Sequence, residues 1–158
     1  MAFDVRKESD FSIAQLENLN GIRGSISIYN LQSLESQEED SKARLRSKLQ
    51  LNSLRLSWFD MPKSLSSLNI IEGLEPPTCI KKLQIDGYNG SAPSWLSNSF
   101  YLTSLQSLHL EKCKYWSALP PLPQLQELQE LHLINMPHIT SIPIGRLKIL
   151  ELRNMPRL

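Results

Sequence analysis

Cysteine is scarce in this chain: Cys79 and Cys113 are the only two, and they form no CxxC or Cys/His metal spacing. A disulfide scaffold is thereby excluded, and a reducing, intracellular setting is the simplest reading. Charge of one sign is missing as well. Lys and Arg number 17 against 16 Asp and Glu, a formal net charge of +1, which removes any global electrostatic ground for a nucleic acid or an anionic membrane as partner. No window approaches the roughly 18 apolar residues of a membrane span. The opening MAFDVRKESDFSIAQL mixes charges early and lacks the apolar core of a secretory signal, so a soluble, cytoplasmic chain is expected. Absent too are GxSxG, HExxH and P-loop phrases. No enzyme, cofactor, metal or small-molecule substrate is read. Six glycines against ten prolines suit tight, irregular returns between short strands better than a helical bundle.

What is present is one short phrase, stated three times near the end: Leu105-x-x-Leu108-x-Leu110-x-x-Cys113, Leu128-x-x-Leu131-x-Leu133-x-x-Met136 and Leu147-x-x-Leu150-x-Leu152-x-x-Met155. Its central L-x-L alternates apolar and polar residues and reads as a short strand with leucines on one face. One such unit cannot bury its leucines alone, whereas units stacked in register bury them as a continuous core. This is the leucine-rich-repeat phrase. The expected fold is an α/β repeat, a solenoid with a curved parallel β-sheet on the concave side and irregular loops or short helices on the convex side. At 158 residues and 41% hydrophobic content, a single domain spanning 1–158 has enough material for that core.

Looser versions of the phrase come earlier. Phe3 and Val5 alternate with polar neighbours and suggest a strand within a partial repeat at 1–12. From about 13 onward the repeats run on, beginning with Ile13, Leu16, Leu19 and Ile22 at helical spacing, interrupted by Asn20-Gly21. Strands follow at Ile26-Ser27-Ile28, Leu54-x-Leu56 and Leu83-x-Ile85, with a short helical turn expected at Ile70 to Leu74. Successive strands are spaced close to the ~20–29-residue period of this repeat class. Between them ESQEEDSKARLRSKLQ places acids early and bases late, an order that favours a helix through its dipole. A convex helix over about 35–49 is expected, with Ala43, Leu45 and Leu49 touching the core and the charges solvated.

The register fixes which side chains a partner can meet. Residues flanking and separating the paired leucines point away from the core. The central column is Ser27, Arg55, Gln84, His109, His132 and Glu151. It is flanked by Ser25, Ser53, Lys82, Ser107, Glu130 and Ile149 on one side, and by Tyr29, Ser57, Asp86, Glu111, Ile134 and Arg153 on the other. This surface is mixed in charge and partly apolar, a character suited to protein recognition. Arg55, Lys82, Gln84, Asp86, His109, Glu111, Glu130, His132, Ile134, Glu151 and Arg153 are the candidate contacts. A metal or acid–base reading of His109 and His132 lacks a third ligand and an enclosed cavity. Cys113 occupies the slot where these repeats place Asn or Cys, and Trp58, Trp95 and Trp116 are expected to pack along the rim.

The succession VRKES, IAQLENLNGIRGSISIYNLQSL, LNSLRLSW, IIEGLEPPTCIKKLQIDGY, SAPSWLSN and LQSLHLEKCKYWSALPPL resembles the C-terminal repeats of plant nucleotide-binding leucine-rich-repeat immune receptors, most closely the coiled-coil type of grasses. The resemblance spans nearly the whole chain. It implies a sensor module that helps hold the receptor inactive and takes part in detecting pathogen effectors or the host proteins they modify. The partners implied are an effector, a guarded host protein or the receptor's own nucleotide-binding module. The sequence departs from that family in lacking the nucleotide-binding module and the signalling coiled coil, and in carrying Pro123 in LPPLPQL where glycine is usual. No polar terminal repeat is evident, so open leucine faces are expected at the ends. Two alternatives share the fold: a truncated receptor fragment without independent activity, and a leucine-rich-repeat adaptor or inhibitor outside immunity.

Overall fold

In the computed structural model, which describes residues 1–6, 12–65, 68–98, 100–122, 125–143 and 145–158, the repeated phrase becomes seven parallel strands in a single curved sheet. They are β1 (Ala2–Asp4), β2 (Gly24–Tyr29), β3 (Leu51–Ser57), β4 (Lys82–Asp86), β5 (Ser107–Glu111), β6 (Glu130–Ile134) and β7 (Ile149–Arg153). Their order in the sheet is their order in the chain. Each repeat therefore pairs only with its neighbours, which defines a solenoid.

The paired apolar residues set the register. Ile26, Leu54, Leu83, Leu108, Leu131 and Leu150 lie opposite one another from strand to strand, and Ile28, Leu56, Ile85, Leu110, Leu133 and Leu152 form a second row. Both rows are buried through β6. Leu51, Ile80, Leu105 and Leu128, three residues before the first row, are buried with them. On the convex side the core is closed by short helical segments: 3₁₀ turns at Ile13–Asn18, Leu31–Ser33, Leu45–Ser47, Lys63–Leu65 and Ile70–Leu74, and two short α-helices, α1 (Gln37–Ser41) and α2 (Ser94–Ser97). Trp58, Trp95 and Trp116 are all buried. The indole N–H of Trp95 donates to the Ile71 carbonyl at 3.2 Å and that of Trp116 to Gly90 at 2.9 Å, so each ties one repeat to its neighbour.

The ends behave differently. Phe3 and Val5 are buried under β1 and its loop, whereas Ile149, Leu150 and Leu152 on β7 are exposed. Among the described residues the open apolar face is thus at β7. The partial repeat and the VRKES phrase fall partly on 7–11, outside the described residues, as does Pro123.

The expected helix over 35–49 takes another form. Two short pieces, α1 and the 3₁₀ turn at Leu45–Ser47, are separated by Arg44 in the left-handed region at φ 48°. Serine hydroxyls bond to local backbone here: Ser36 accepts from the Glu39 amide, Ser41 donates to the Glu38 carbonyl and Ser47 donates to the Arg44 carbonyl. Such bonds compete with a continuous helical ladder. The break turns both Ala43 and Leu45 into the core but leaves Leu49 70% exposed. Lys48 is buried instead, its ammonium donating to the Leu19 carbonyl at 3.2 Å. Burial lowers the Lys48 pKa from its ordinary value, an effect that nearby Glu17 opposes. Leu19, at the same helical spacing as the buried Ile13 and Leu16, is 39% exposed, because the 3₁₀ turn ends before it and Asn20-Gly21 then redirects the chain.

Chain reversal after the strands relies on left-handed residues. Asn30, Gly87, Lys112, Asn135 and Asn154 each follow a strand immediately, and all have positive φ. After β3 that place belongs to Trp58, and the left-handed residue is Asp60. Amides at this place extend the ladder by one bond: Trp58 donates to Asp86, Gly87 to Glu111, Lys112 to Ile134 and Asn135 to Arg153, at 2.8–2.9 Å. Gly87 has no substitute. Its φ of +78° disfavours any side chain, and an added Cβ would collide with the backbone carbonyl of Trp58.

Two expected outcomes follow from this packing. In urea unfolding, Gly87→Ala is expected to cost about 2–4 kcal/mol, whereas Gly21→Ala, with open space around it, is expected to cost nothing. Leu131→Ala is expected to cost about 2–5 kcal/mol. Leu131→Asp should cost more, because it also buries an unpaired carboxylate.

Candidate protein-recognition surface

Strand alternation turns the polar residue of each phrase outward, and the register aligns these residues from repeat to repeat. Ser27, Arg55, Gln84, His109, His132 and Glu151 are successive partners across β2 to β7. Lys82, Ser107, Glu130 and Ile149 line up on one side of them, and Asp86, Glu111, Ile134 and Arg153 on the other. All eleven candidate residues therefore share one face. β1 extends it, with Ala2 opposite Ser27 and Asp4 opposite Tyr29, and Asp4 accepts a hydrogen bond from the Asn30 amide. The sequence alternation at Phe3 and Val5 pointed to this strand but not to Asp4 as a surface group.

Two charged clusters stand on this face. In the first, Arg55 pairs with Asp86 at 3.4 Å and lies over the Tyr29 ring, 5.6 Å from its centre. The second is centred on His109 and His132, whose rings stack at 5.5 Å between centres and 21° between planes. His109 Nε2 lies 3.4 Å from Glu111, and Lys112 reaches the other oxygen of that carboxylate at 3.3 Å. His132 Nδ1 lies 2.7 Å from Glu151 Oε2, and Arg153 holds Oε1 at 2.6 Å. An ionised carboxylate can only accept, so Nδ1 of His132 carries the proton in this bond. Glu130 stands 3.9 Å from His132 Nε2. Lys82 is exposed and Ile134 is half-buried beside this cluster.

These contacts orient side chains without closing a reaction chamber. Carboxylates already engage both imidazoles, and among the described residues no group of three or more His, Cys, Asp or Glu could hold a metal ion. Cys113 is buried under the sheet, its thiol near the carbonyls of Ile85 and Glu111, and burial raises its pKa to about 12. Such a thiol stays protonated and serves packing. Cys79 is also free. No helix among the described residues is long and apolar enough to cross a membrane.

Comparison with known families decides the lineage. The profile of one family, described as R13L1/DRL21 LRRs, matches residues 13–136. The chain belongs to that leucine-rich-repeat family. Among curated relatives, "Putative disease resistance protein RGA1" of Solanum bulbocastanum is 33% identical over 120 residues, 75% of this chain and 12% of the relative. "Disease resistance protein RGA2" of the same species is 29% identical over 123 residues, with the same coverage. "Putative disease resistance RPP13-like protein 1" of Arabidopsis thaliana is 28% identical over 151 residues, 89% of this chain and 14% of the relative. The chain thus spans about an eighth of the length of these relatives. No solved structure matches. The chain is a leucine-rich-repeat segment related to plant disease-resistance proteins.

The His132–Glu151 contact has a consequence in acid. The hydrogen bond from His132 holds the Glu151 carboxyl below its ordinary pKa of 4.5, with Arg153 assisting and partial desolvation opposing. Because the folded value is the lower one, the unfolded chain binds more protons in this range. The contribution to stability is therefore complete above 4.5 and lost as pH falls through the folded value. Urea midpoints measured from neutral to acidic pH should fall less steeply below 4.5 in Glu151→Gln than in the unsubstituted chain.

Proposed function

We propose that this chain is the recognition and regulatory repeat segment of a plant nucleotide-binding immune receptor, of the coiled-coil type by its sequence phrases. It acts in the cytoplasm through protein contacts. The observation that carries this reading is the in-register face itself: eleven polar, charged and apolar side chains on the five strands β3 to β7, in a repeat family whose curated relatives are named as disease-resistance proteins. Ion pairs and ring stacking hold Arg55, Asp86, His109, Glu111, His132, Glu151 and Arg153 in place, so less ordering entropy is lost when a partner docks. Arg55, Gln84, His109, His132 and Glu151 form the centre of the contact, with Lys82, Asp86, Glu111, Glu130, Ile134 and Arg153 around it.

The partner is a pathogen effector, a host protein that the effector modifies, or the receptor's own nucleotide-binding module, held inactive by this face. An open sheet of balanced charge favours a protein over a nucleic acid, whose phosphates demand a basic stripe.

The test uses the tagged chain in leaf tissue beside its His109→Ala/His132→Ala variant, with captured proteins quantified and binding of each remeasured with purified components. A purified partner is expected to bind the variant at least about tenfold more weakly, as truncation at the centre of an interface does. Unchanged affinity for every partner would remove the concave face from the reading.

A further inference from the structure

A second surface lies off the concave face, on the rim where the chain leaves β5, β6 and β7. The left-handed residues Lys112, Asn135 and Asn154 stand side by side there and, with Lys114, Pro137 and Met155, line an open cavity of about 670 Å³. Next to it is a smaller hollow of about 360 Å³, lined in part by Lys63, Asn89 and Tyr115. The Lys114 amide donates to Asn89 Oδ1 at 3.2 Å and so joins the two. Among the described residues, every charged residue lining either hollow is a lysine. Lys112 is shared with Glu111 at 3.3 Å, whereas the Lys114 ammonium makes no ion pair among the described residues. Tyr115, which lines the smaller hollow, is 47% exposed.

We propose that this rim is a docking site for an acidic peptide segment of a partner protein, joined to the concave columns only through the Lys112–Glu111 ion pair and independent of the function proposed for them. The ammonium groups of Lys112 and Lys114 favour carboxylates. Asn154 Nδ2 donates to Asn135 Oδ1 at 2.7 Å, so among the described residues Asn135 Nδ2 and Asn154 Oδ1 leave one donor and one acceptor within the cavity lining. A free donor beside a free acceptor matches a peptide group, which has both, better than a phosphate, which only accepts. Pro137 and Met155 supply an apolar floor for a side chain of the segment, and Tyr115 an exposed aromatic beside it. Three lysines are too few for the alternatives, since nucleic-acid binders neutralise about 6–10 phosphates and anionic membranes recruit clusters of about 4–8 basic residues.

The experiment measures fluorescence anisotropy of a short labelled peptide of glutamates around a central phenylalanine, titrated with the chain at low salt. The same peptide with lysines in place of glutamates, a single-stranded oligonucleotide and phosphatidylserine vesicles are run beside it. The acidic peptide is expected to bind more tightly than the other three and to weaken as salt is raised. Lys112→Glu/Lys114→Glu is expected to lose roughly tenfold or more in affinity. Lys42→Glu on the convex side and His109→Ala/His132→Ala on the concave face are expected to bind as the unsubstituted chain does. Circular dichroism confirms that each variant is folded, and the single Lys114→Glu variant, at an exposed position with ordinary backbone, gives a second reading if the double variant does not fold. Failure of the acidic peptide to outbind the lysine peptide would overturn the proposal. So would equal losses in the Lys42 or histidine variants, or preference for the oligonucleotide or the vesicles.

Discussion

Registration of paired leucines between neighbouring strands is the constraint on which this structure depends. A parallel strand with period two can slide by one residue only by moving its whole apolar set to the other face. Here each strand must place two apolar residues onto two of its neighbour, from Ile26 and Ile28 in β2 to Leu150 and Leu152 in β7. A one-residue slip would expose both rows, which are buried through β6. The same constraint that buries the leucines collects the polar residues between them, so the surface facing a partner is a by-product of core registration. His109 and His132 stack because Leu108 lies opposite Leu131 and Leu110 opposite Leu133.

The turns serve that register. A left-handed residue directly after a strand lets the chain leave the sheet while its amide still bonds to the next strand's last carbonyl. Asn and Gly accept that conformation at low cost, and Lys112 and Asp60 do so less readily. Where β3 lacks such a residue, Trp58 takes the place and packs against Tyr88 with the rings tilted at 52° and their centres 4.8 Å apart, and its carbonyl presses on Gly87. This tight approach explains why glycine stands in the next repeat.

Most of the architecture was legible because the strand phrase carries its own geometry. The alternation names the buried residues, and equal spacing within each phrase names the columns. What escaped notice depends on contacts distant in sequence. The acid-to-base order at 35–49 reads as one helix, yet the chain breaks at Arg44, a residue with no intrinsic preference for the left-handed region. The break exchanges Leu49 for Lys48 as the buried side chain. Nothing local marks a lysine for burial; its partner, the Leu19 carbonyl, belongs to the preceding repeat. The rim cavity was invisible for a similar reason, since Lys112, Asn135 and Asn154 are adjacent only after stacking. The candidate residues were placed on one face by alternation alone, but their pairing into an Arg55–Asp86 cluster and a histidine–carboxylate cluster needed side-chain geometry.

The account stands or falls on register, and nuclear Overhauser contacts between strands measure it directly. His109 should show contacts to Gln84 on one side and to His132 on the other, including ring-to-ring contacts from the stacked imidazoles. Contacts from His109 to Leu131 or Leu133 as its direct cross-strand partner would mean a one-residue slip, and both the buried rows and the recognition columns described above would be wrong.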